Sequence, residues 1–272
     1  MAAIHMVDNT DWLKTCAIIL VGIDHFGHFF VEDDLWWSTL GRMAAPTFFF
    51  LMGYANTRSV PLSWIVIGAI LTLLESWNAD WSWVSPNILL SFALIRFVRP
   101  YVLLFIQNFQ WLAFVAVVGF LLIALPLTSN LVDYGAEGWL WALCGLCQRI
   151  YVDYASTSKV VGPRFDSSMS PRALPSHLSA MRLISFLITV PIYVWFEQME
   201  YAFSQTQLAV FVVGIIVLSL VLIRFQRGRS PIQPPPMVSP VLRFVGRHTL
   251  AIYAIQLACS ELIIGLWPDA GF

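Results

Sequence analysis

Apolar runs of roughly 20 residues, separated by short polar or proline-containing stretches, recur along nearly the whole chain. A run of about 20 apolar residues is what an α-helix needs to cross the hydrocarbon core of a bilayer. The pattern predicts nine helices, over residues 12–31, 40–57, 61–77, 87–106, 109–127, 136–154, 178–196, 206–225 and 246–267. We therefore expect an all-α, polytopic membrane protein with one transmembrane domain over residues 1–272.

Two longer polar segments interrupt this pattern. The stretch 155–177 contains serine, lysine, arginine and three prolines, and the stretch 226–240 contains three consecutive prolines, which favour an extended backbone. Both are expected to be cytoplasmic loops. The sequence shows no internal repeat and no separate soluble domain.

The composition excludes several classes of protein. Of the 272 residues, 58% are hydrophobic and only 11% are charged, whereas about a quarter of the residues of a soluble domain are charged. Too few polar side chains are present to cover the surface of a soluble globule. The chain is therefore not expected to be a soluble enzyme, a disordered protein or a nucleic-acid-binding protein.

The charges predict how the helices are oriented. With nine helices, basic residues fall almost entirely on one side and acidic residues on the other. The positive-inside rule then places the N-terminus in the cytoplasm and the C-terminus outside. Most tryptophans fall at the outer interface, where they form either an aromatic belt at the lipid headgroups or a docking surface for another membrane subunit.

Ionisable residues within the first helix are the leading candidates for function, because charge inside an apolar span is costly. Asp24 and His28 lie one turn apart, and His25 lies between them, so the three side chains form one polar wedge. A carboxylate beside an imidazole holds its tautomer and raises its basicity, which is the arrangement that a general base needs.

Three arginines extend this set. Arg42, at the start of the second helix, is the one basic residue on the acidic side, and Asp24 is its expected partner. Two interpretations stay open: a functional site, or an ion pair that only joins two helices. Arg96 and Arg99, in the middle of the fourth helix, either extend toward the cytoplasmic interface or bind an anionic ligand.

Metal and redox chemistry have little support in the sequence. His25 and His28 lie on one helix and cannot supply both axial ligands of a haem, so no metal or haem is expected. Cys144 and Cys147 share one helix face without a second pair of ligands for zinc. They are either ordinary apolar packing or a redox pair.

Several motifs resemble those of the TraX family of membrane acetyltransferases. The first helix is similar to the family's "LK…IDH" helix, and the second is similar to its "GR-aliphatic-A-x-P-x-F" helix. Two later segments resemble its "N-x-L-x-T" and "DYG…G" elements. The matching residues are Leu13-Lys14, Ile23-Asp24-His25, the run from Gly41 to Leu51, the run from Asn87 to Ser91, and Asp133-Tyr134-Gly135 with Gly138. The resemblance is strongest over residues 10–155.

This resemblance implies an acyltransferase of the bacterial inner membrane, related to the acyltransferase-3 group. The family's type member acetylates the N-terminus of a conjugative pilin. By analogy, acetyl-coenzyme A is the donor, and an amine of a pilin-like or other membrane protein, or a hydroxyl group, is the acceptor. His25 is then the base, Asp24 orients it, and Arg42 stabilises a carboxylate or an oxyanion. Arg96 and Arg99 are the expected contacts of the coenzyme.

The closing helix departs from the family pattern and keeps an alternative open. Gln256 stands where the family often has histidine, and glutamine cannot carry a proton at neutral pH. The chain is therefore either an enzyme or a non-catalytic accessory subunit of a larger membrane complex. A small transporter would normally show repeated halves, which this sequence lacks. Membrane lipids are expected partners under every alternative.

Overall fold

The computed structural model describes residues 6–31, 34–57, 59–128, 131–160 and 176–266. Within these ranges the protein is all-helical and contains no β-strand, which confirms the predicted all-α class. Its helices are α1 (Asn9–Phe30), α2 (Trp36–Gly41), α3 (Ala44–Tyr54), α4 (Leu62–Asn78), α5 (Ile88–Thr128), α6 (Gly135–Val160), α7 (Ser176–Tyr201), α8 (Gln205–Leu222) and α9 (Ser239–Leu266).

Five helices in the described ranges are long and apolar enough to cross a membrane. They are α1, α5, α7, α8 and α9, and α4 is a shorter apolar helix. α6 is not among them, although its first half is almost completely buried inside the protein. The length and hydropathy of these helices identify the chain as a membrane protein.

The second predicted helix, over residues 40–57, is wrong as a single element. The structure has two short helices there, and the break falls at Arg42 and Met43 between α2 and α3. The break is possible because Tyr193 on α7 donates its hydroxyl to the backbone carbonyl of Arg42, at 2.6 Å. Pro46 lies in the first turn of α3, where a missing backbone N–H costs little.

α5 is a helical hairpin. Its 41 residues would span about 60 Å as a straight helix, but Gln110 has φ 45° and ψ −115°, and it divides α5 into α5a (88–109) and α5b (111–128). Ser91, near the start of α5a, donates its hydroxyl to the carbonyl of Asp133. Thr128, at the end of α5b, accepts from the backbone N–H of Ala136. Both ends therefore lie beside the loop before α6, and the two arms match the helices predicted at 87–106 and 109–127.

α3 and α6 cross at the centre of the bundle. Almost every residue of α3 is buried. Glycines bring the two backbones together: a Cβ on Gly53 would lie 1.7 Å from the carbonyl oxygen of Ala142, and a Cβ on Gly145 would lie 2.0 Å from that of Phe50. Small residues allow such close helix crossings in membrane proteins, so these glycines fix the position of α3 and of the break that precedes it.

One of the two expected loops is described. The segment 226–240 packs against the N-terminal residues, since Asn9 donates its backbone N–H to the carbonyl of Gly228 at 3.0 Å, and Gln233 donates its side-chain amide to Val7. α9 begins at Ser239 rather than at 246 and is non-helical at His248. Of the other expected loop, 155–177, residues 161–175 lie outside the described residues. Six of the charges on which the predicted orientation depends also lie outside them: Glu32, Asp33, Arg58, Arg164, Arg172 and Asp269.

Candidate functional site

The expected ion pair between the first two predicted helices is present. The Nε atom of Arg42 lies 3.7 Å from Oδ2 of Asp24. Gly41 makes this approach possible, because a Cβ there would lie 2.6 Å from the Cα of Asp24. α2 therefore ends directly against α1 and places the Arg42 side chain beside Asp24.

Two glutamates of α7 approach the same guanidinium group. Nε of Arg42 lies 3.8 Å from Oε2 of Glu197, and Nη2 lies 3.8 Å from Oε1 of Glu200. The side chain of Glu197 is 1% exposed, whereas that of Glu200 is 60% exposed. The Glu197 contact is thus a buried ion pair, and the Glu200 contact lies at the surface of the protein.

Aromatic side chains complete the surroundings of Arg42. Its Nη1 donates to the hydroxyl oxygen of Tyr134 at 2.8 Å. The guanidinium carbon lies 4.6 Å from the centre of the Tyr201 ring and 5.5 Å from that of Tyr134, within the range of cation–π attraction. We call Arg42 with its two tyrosines and three carboxylates the Arg42 cluster; its carboxylates are those of Asp24, Glu197 and Glu200.

The Arg42 cluster carries an excess of acidic groups, since one guanidinium faces three carboxylates. A further carboxylate, Glu137 on α6, has a buried Oε2 with no hydrogen-bond partner among the described residues. In the loop before α6, burial raises the pKa of the Asp133 carboxyl to about 6, although Arg42 acts in the opposite direction. Such a surface favours a cationic ligand over an anionic one.

His25 faces a different helix from Asp24. Consecutive residues of a helix point about 100° apart, and the His25 ring lies 5.6 Å from the ring of Tyr253 on α9. Asn87, before α5, donates its side-chain amide to the Tyr253 hydroxyl at 3.0 Å. Gln256, one turn further along α9, approaches α1 at Gly22, where a Cβ would lie 3.3 Å from the amide nitrogen.

The His25 imidazole has an unused nitrogen. Its Nδ1 atom is buried and has no hydrogen-bond partner among the residues that the structure describes. Asp24 is therefore not hydrogen-bonded to it at this atom. His25 does lie near enough to Arg42 and His28 to interact with both electrostatically, and the exposed His28 packs its ring against Phe29. The structure thus brings His25 beside the Arg42 cluster, on the α9 side of it.

Arg96 and Arg99 lie elsewhere in the protein. Arg99 donates from Nε to the carbonyl of Gly53 at 2.7 Å, and Gly53 is nine residues from Ala44 at the start of α3, about 14 Å along the helix. Arg96 approaches the carbonyl of Thr57 and stacks on Trp64, 4.7 Å from its ring. Neither arginine belongs to the Arg42 cluster.

Some residues of the site were not predicted from the sequence. Glu197 and Glu200 lie beyond the predicted helix, which ends at residue 196, whereas α7 continues to Tyr201. The one available signal was the spacing of Tyr193 and Glu197, four residues apart at the end of an apolar helix. The sequence signal for Tyr253 was its position three residues before Gln256, where the closing helix resembles the family's "G…L-x-x-Y-x-x-H" segment.

The described residues contain no group of three histidine, cysteine, aspartate or glutamate side chains placed to hold a metal ion. Cys144 and Cys147 are free and buried, and the Cys144 thiol lies 3.3 Å from the Thr189 hydroxyl. The arrangement that the structure does offer is an imidazole beside an acidic, arginine-centred cluster. Proton transfer and recognition of a cation are the chemistry it supports.

Comparisons with known proteins agree with the sequence motifs. A family model described as TraX protein matches residues 9–213, which is more than half of the chain. An uncharacterised protein of Rickettsia prowazekii (strain Madrid E) is 30% identical over 125 residues, which cover 46% of this chain and 50% of the relative. The chain thus spans about half the length of that curated relative. No solved structure matches significantly.

Proposed function

Since this chain belongs to the TraX family, we propose that it is an acyltransferase of the bacterial inner membrane, related to the acyltransferase-3 group. The proposed reaction transfers an acetyl group from acetyl-coenzyme A to an amine, such as the N-terminus of a pilin-like membrane protein, or to a hydroxyl group. The observation that carries this proposal is the buried Nδ1 atom of His25, which lies beside the acidic Arg42 cluster and has no hydrogen-bond partner in the described part of the chain.

An imidazole with an unused nitrogen is suited to act as the base. The protonated acceptor is attracted by the excess carboxylates and gives one proton to His25. The neutral acceptor then attacks the thioester carbonyl carbon, and the carbon–sulfur bond breaks. The acceptor nitrogen gives its second proton to the departing thiolate of coenzyme A, and the imidazolium releases the first proton to water and returns to its neutral form.

Arg42 is proposed to stabilise the negative oxygen of the intermediate. Its contacts to Asp24, Glu197 and the two tyrosines are to buried or partly buried groups, but its contact to Glu200 is at the surface, where the carboxylate is 60% exposed. Nη2 is therefore the part of the guanidinium that a reacting oxygen could reach by displacing Glu200. Asp24 and Glu197 hold the guanidinium in place meanwhile.

The donor is proposed to enter from the basic end of the bundle, which the positive-inside rule assigns to the cytoplasm. Of the two arginines expected to contact it, Arg96 is the more suitable for a phosphate, because its side chain is only partly buried. The acetyl group would then pass toward His25 at the opposite end of the bundle, which contains the Arg42 cluster and which we call the acidic end. An acceptor from the outer side could meet the acetyl group there.

Reconstituted protein offers a direct test. Radiolabelled acetyl-coenzyme A is supplied to liposomes that contain the chain, together with proteins from the native membrane, and acetylated products are identified by intact mass. His25→Gln should lower the transfer rate at least about 100-fold, the usual contribution of a general base. His28→Gln, three residues along the same helix and exposed, is the matched control and should retain transfer. Unchanged transfer in His25→Gln would remove His25 from the mechanism.

A second candidate is an accessory subunit of a larger membrane complex. It is favoured by the large exposed tryptophans near the acidic end, with Trp81 70%, Trp83 73% and Trp195 60% exposed, and by Gln256 at the position of a family histidine. Mild solubilisation from native membranes separates the two candidates. A stoichiometric, unmodified partner supports the subunit, whereas a partner with one added acetyl group, absent in His25→Gln, supports the enzyme.

A further inference from the structure

A pocket of about 290 Å³ lies between the two arms of the α5 hairpin, the end of α3 and α6. Its lining is almost entirely apolar, with side chains such as Ile95, Val102, Phe105, Val117 and Leu121. The volume holds about ten groups the size of a water molecule or a methylene. The pocket therefore has the size and surface of a site for part of one aliphatic chain.

Arg99 lines this apolar pocket, and it is only 5% exposed. Its Nε donates to the carbonyl of Gly53, and within the described part of the chain the guanidinium makes no ion pair and no other hydrogen bond. Arg149 and Asp153 act on it from a distance with opposite signs, but they are bound to each other at 2.6 Å. Among the described residues, the positive charge of Arg99 thus lacks a counter-ion of its own.

An uncompensated, buried guanidinium is costly, and the cost falls sharply when an anion is hydrogen-bonded to it. The planar donors of arginine match a carboxylate in particular. A carboxylate is also small enough to reach the guanidinium of Arg99, a residue that is only 5% exposed. A nucleotide or a glycerophosphate would need further polar partners, and the other lining side chains are apolar apart from the indole of Trp139.

The pocket opens toward the outside of the hairpin. The most exposed of its large lining side chains are Phe105 on α5a and Phe120 on α5b, at 39% and 69%. The outer surface of both arms is strongly apolar, as shown by Phe97 at 60%, Leu112 at 70% and Ile123 at 73% exposure. In a bilayer this surface faces hydrocarbon, so a ligand can enter sideways from the lipid.

We propose that the pocket between α5a, α5b, α3 and α6 binds a long-chain fatty acid taken from the bilayer. The carboxylate pairs with the Arg99 guanidinium, and the aliphatic chain lies between Val102, Val117 and Phe120 and passes out between the arms. The site is separate from the Arg42 cluster, and its occupancy does not depend on the proposed acetyl transfer.

Photolabelling of the purified full chain in nanodiscs tests this proposal. The probe is palmitic acid that carries a diazirine on its chain, and the labelled peptides are identified by mass spectrometry. We expect saturable labelling of α5 and α6, which unlabelled palmitate displaces at a concentration at least about tenfold lower than hexadecanol does. Equal displacement by hexadecanol would show that the charge plays no part and would overturn the proposal. Stronger displacement by phosphatidylglycerol would overturn the choice of a fatty acid.

Two variants test separately where the carboxylate and the aliphatic chain of the ligand bind. Arg99→Gln should weaken labelling at least about tenfold through loss of the charge. Ala116→Trp should abolish it by filling the pocket from an exposed position of α5b, where the fold tolerates a large side chain. Arg224→Gln replaces an exposed arginine just after α8, outside the lining of the pocket, so it is the charge-matched control and should label as the unaltered chain does. Undiminished labelling in Ala116→Trp would overturn the proposal even if Arg99→Gln failed to fold.

Discussion

Glu197 and Arg42 form a buried ion pair across the centre of the acidic end, with 3.8 Å between Oε2 and Nε. One turn earlier on the same helix, Tyr193 donates to the backbone carbonyl of Arg42. α7 therefore binds both the side chain and the main chain of the residue at which α2 and α3 separate. The break in the helix and the cluster built around it depend on the same contacts.

Loss of the arginine should be far more damaging than loss of the glutamate charge. Arg42→Gln leaves Glu197, 1% exposed, as an uncompensated buried carboxylate, and breaking such a pair costs about 3–5 kcal/mol. The double variant Arg42→Gln, Glu197→Gln removes both charges and should recover part of this loss. Tryptophan fluorescence during unfolding in detergent measures the free energy of each variant.

An exposed pair on the same protein provides the control for that cycle. Arg149 and Asp153 lie one turn apart on α6, with side chains 22% and 55% exposed. Arg149→Gln should lower the free energy of unfolding by no more than about 1 kcal/mol, as is usual for surface pairs. If Arg42→Gln were equally mild, the contacts around Arg42 would not stabilise the fold.

Gly41→Ala should disturb the cluster without changing any charged group. A Cβ at this position would lie 2.3 Å from the Cβ and 2.6 Å from the Cα of Asp24, so α2 must move away from α1. We expect a loss of about 1–3 kcal/mol in the free energy of unfolding, as for other overpacked sites. Gly119→Ala is the matched control, since a Cβ on Gly119 meets nothing within 4 Å, and it should be neutral or slightly stabilising.

Asn78 joins the end of α4 to α9. Its side-chain amide donates to both the backbone carbonyl and the carboxylate of Glu261, at 2.8 and 2.5 Å. Asn78→Ala leaves the buried Glu261 carboxylate without this donor, so a loss of about 2 kcal/mol in stability is expected. Asn108→Ala, at an exposed position of α5a, should leave the unfolding transition unchanged. If Asn78→Ala and Asn108→Ala unfolded with the same free energy, this result would contradict a structural role for Asn78.

The limits of prediction from the sequence follow from the nature of each signal. Hydrophobic runs indicate where helices lie, and both arms of α5 were found because Gln107, Asn108 and Gln110 interrupt the apolar pattern. The break at Arg42 was not found, because its backbone is satisfied by Tyr193, a residue 151 positions away in sequence. The pairing of Asp24 with Arg42 was predictable, since an isolated charge in an apolar helix needs a partner. The contacts of Glu197 and Tyr134 depend on tertiary packing, which no local pattern encodes.

Gln256 offers a way to separate stability from activity. Its side-chain oxygen is buried without a hydrogen-bond partner among the described residues, and an unsatisfied group of this kind costs about 1–3 kcal/mol. Gln256→Met keeps the volume and removes the polar atoms, so its unfolding temperature should equal or exceed that of the unaltered chain. If the variant is more stable but no longer transfers acetyl groups, the glutamine serves the reaction. A clear loss of stability would instead show that the glutamine is bonded in the folded protein.

The hairpin form of α5 also makes the orientation of the whole bundle measurable at one residue. Its two ends lie together beside the loop that precedes α6, so the turn at Gln110 and that loop must emerge on opposite sides of a bilayer. A single cysteine at Gln110, tested with a thiol reagent that does not cross membranes, therefore reports which compartment the acidic end faces. Labelling from the cytoplasmic side would place His25 and Arg42 toward the exterior, and labelling from outside would reverse the direction of every helix.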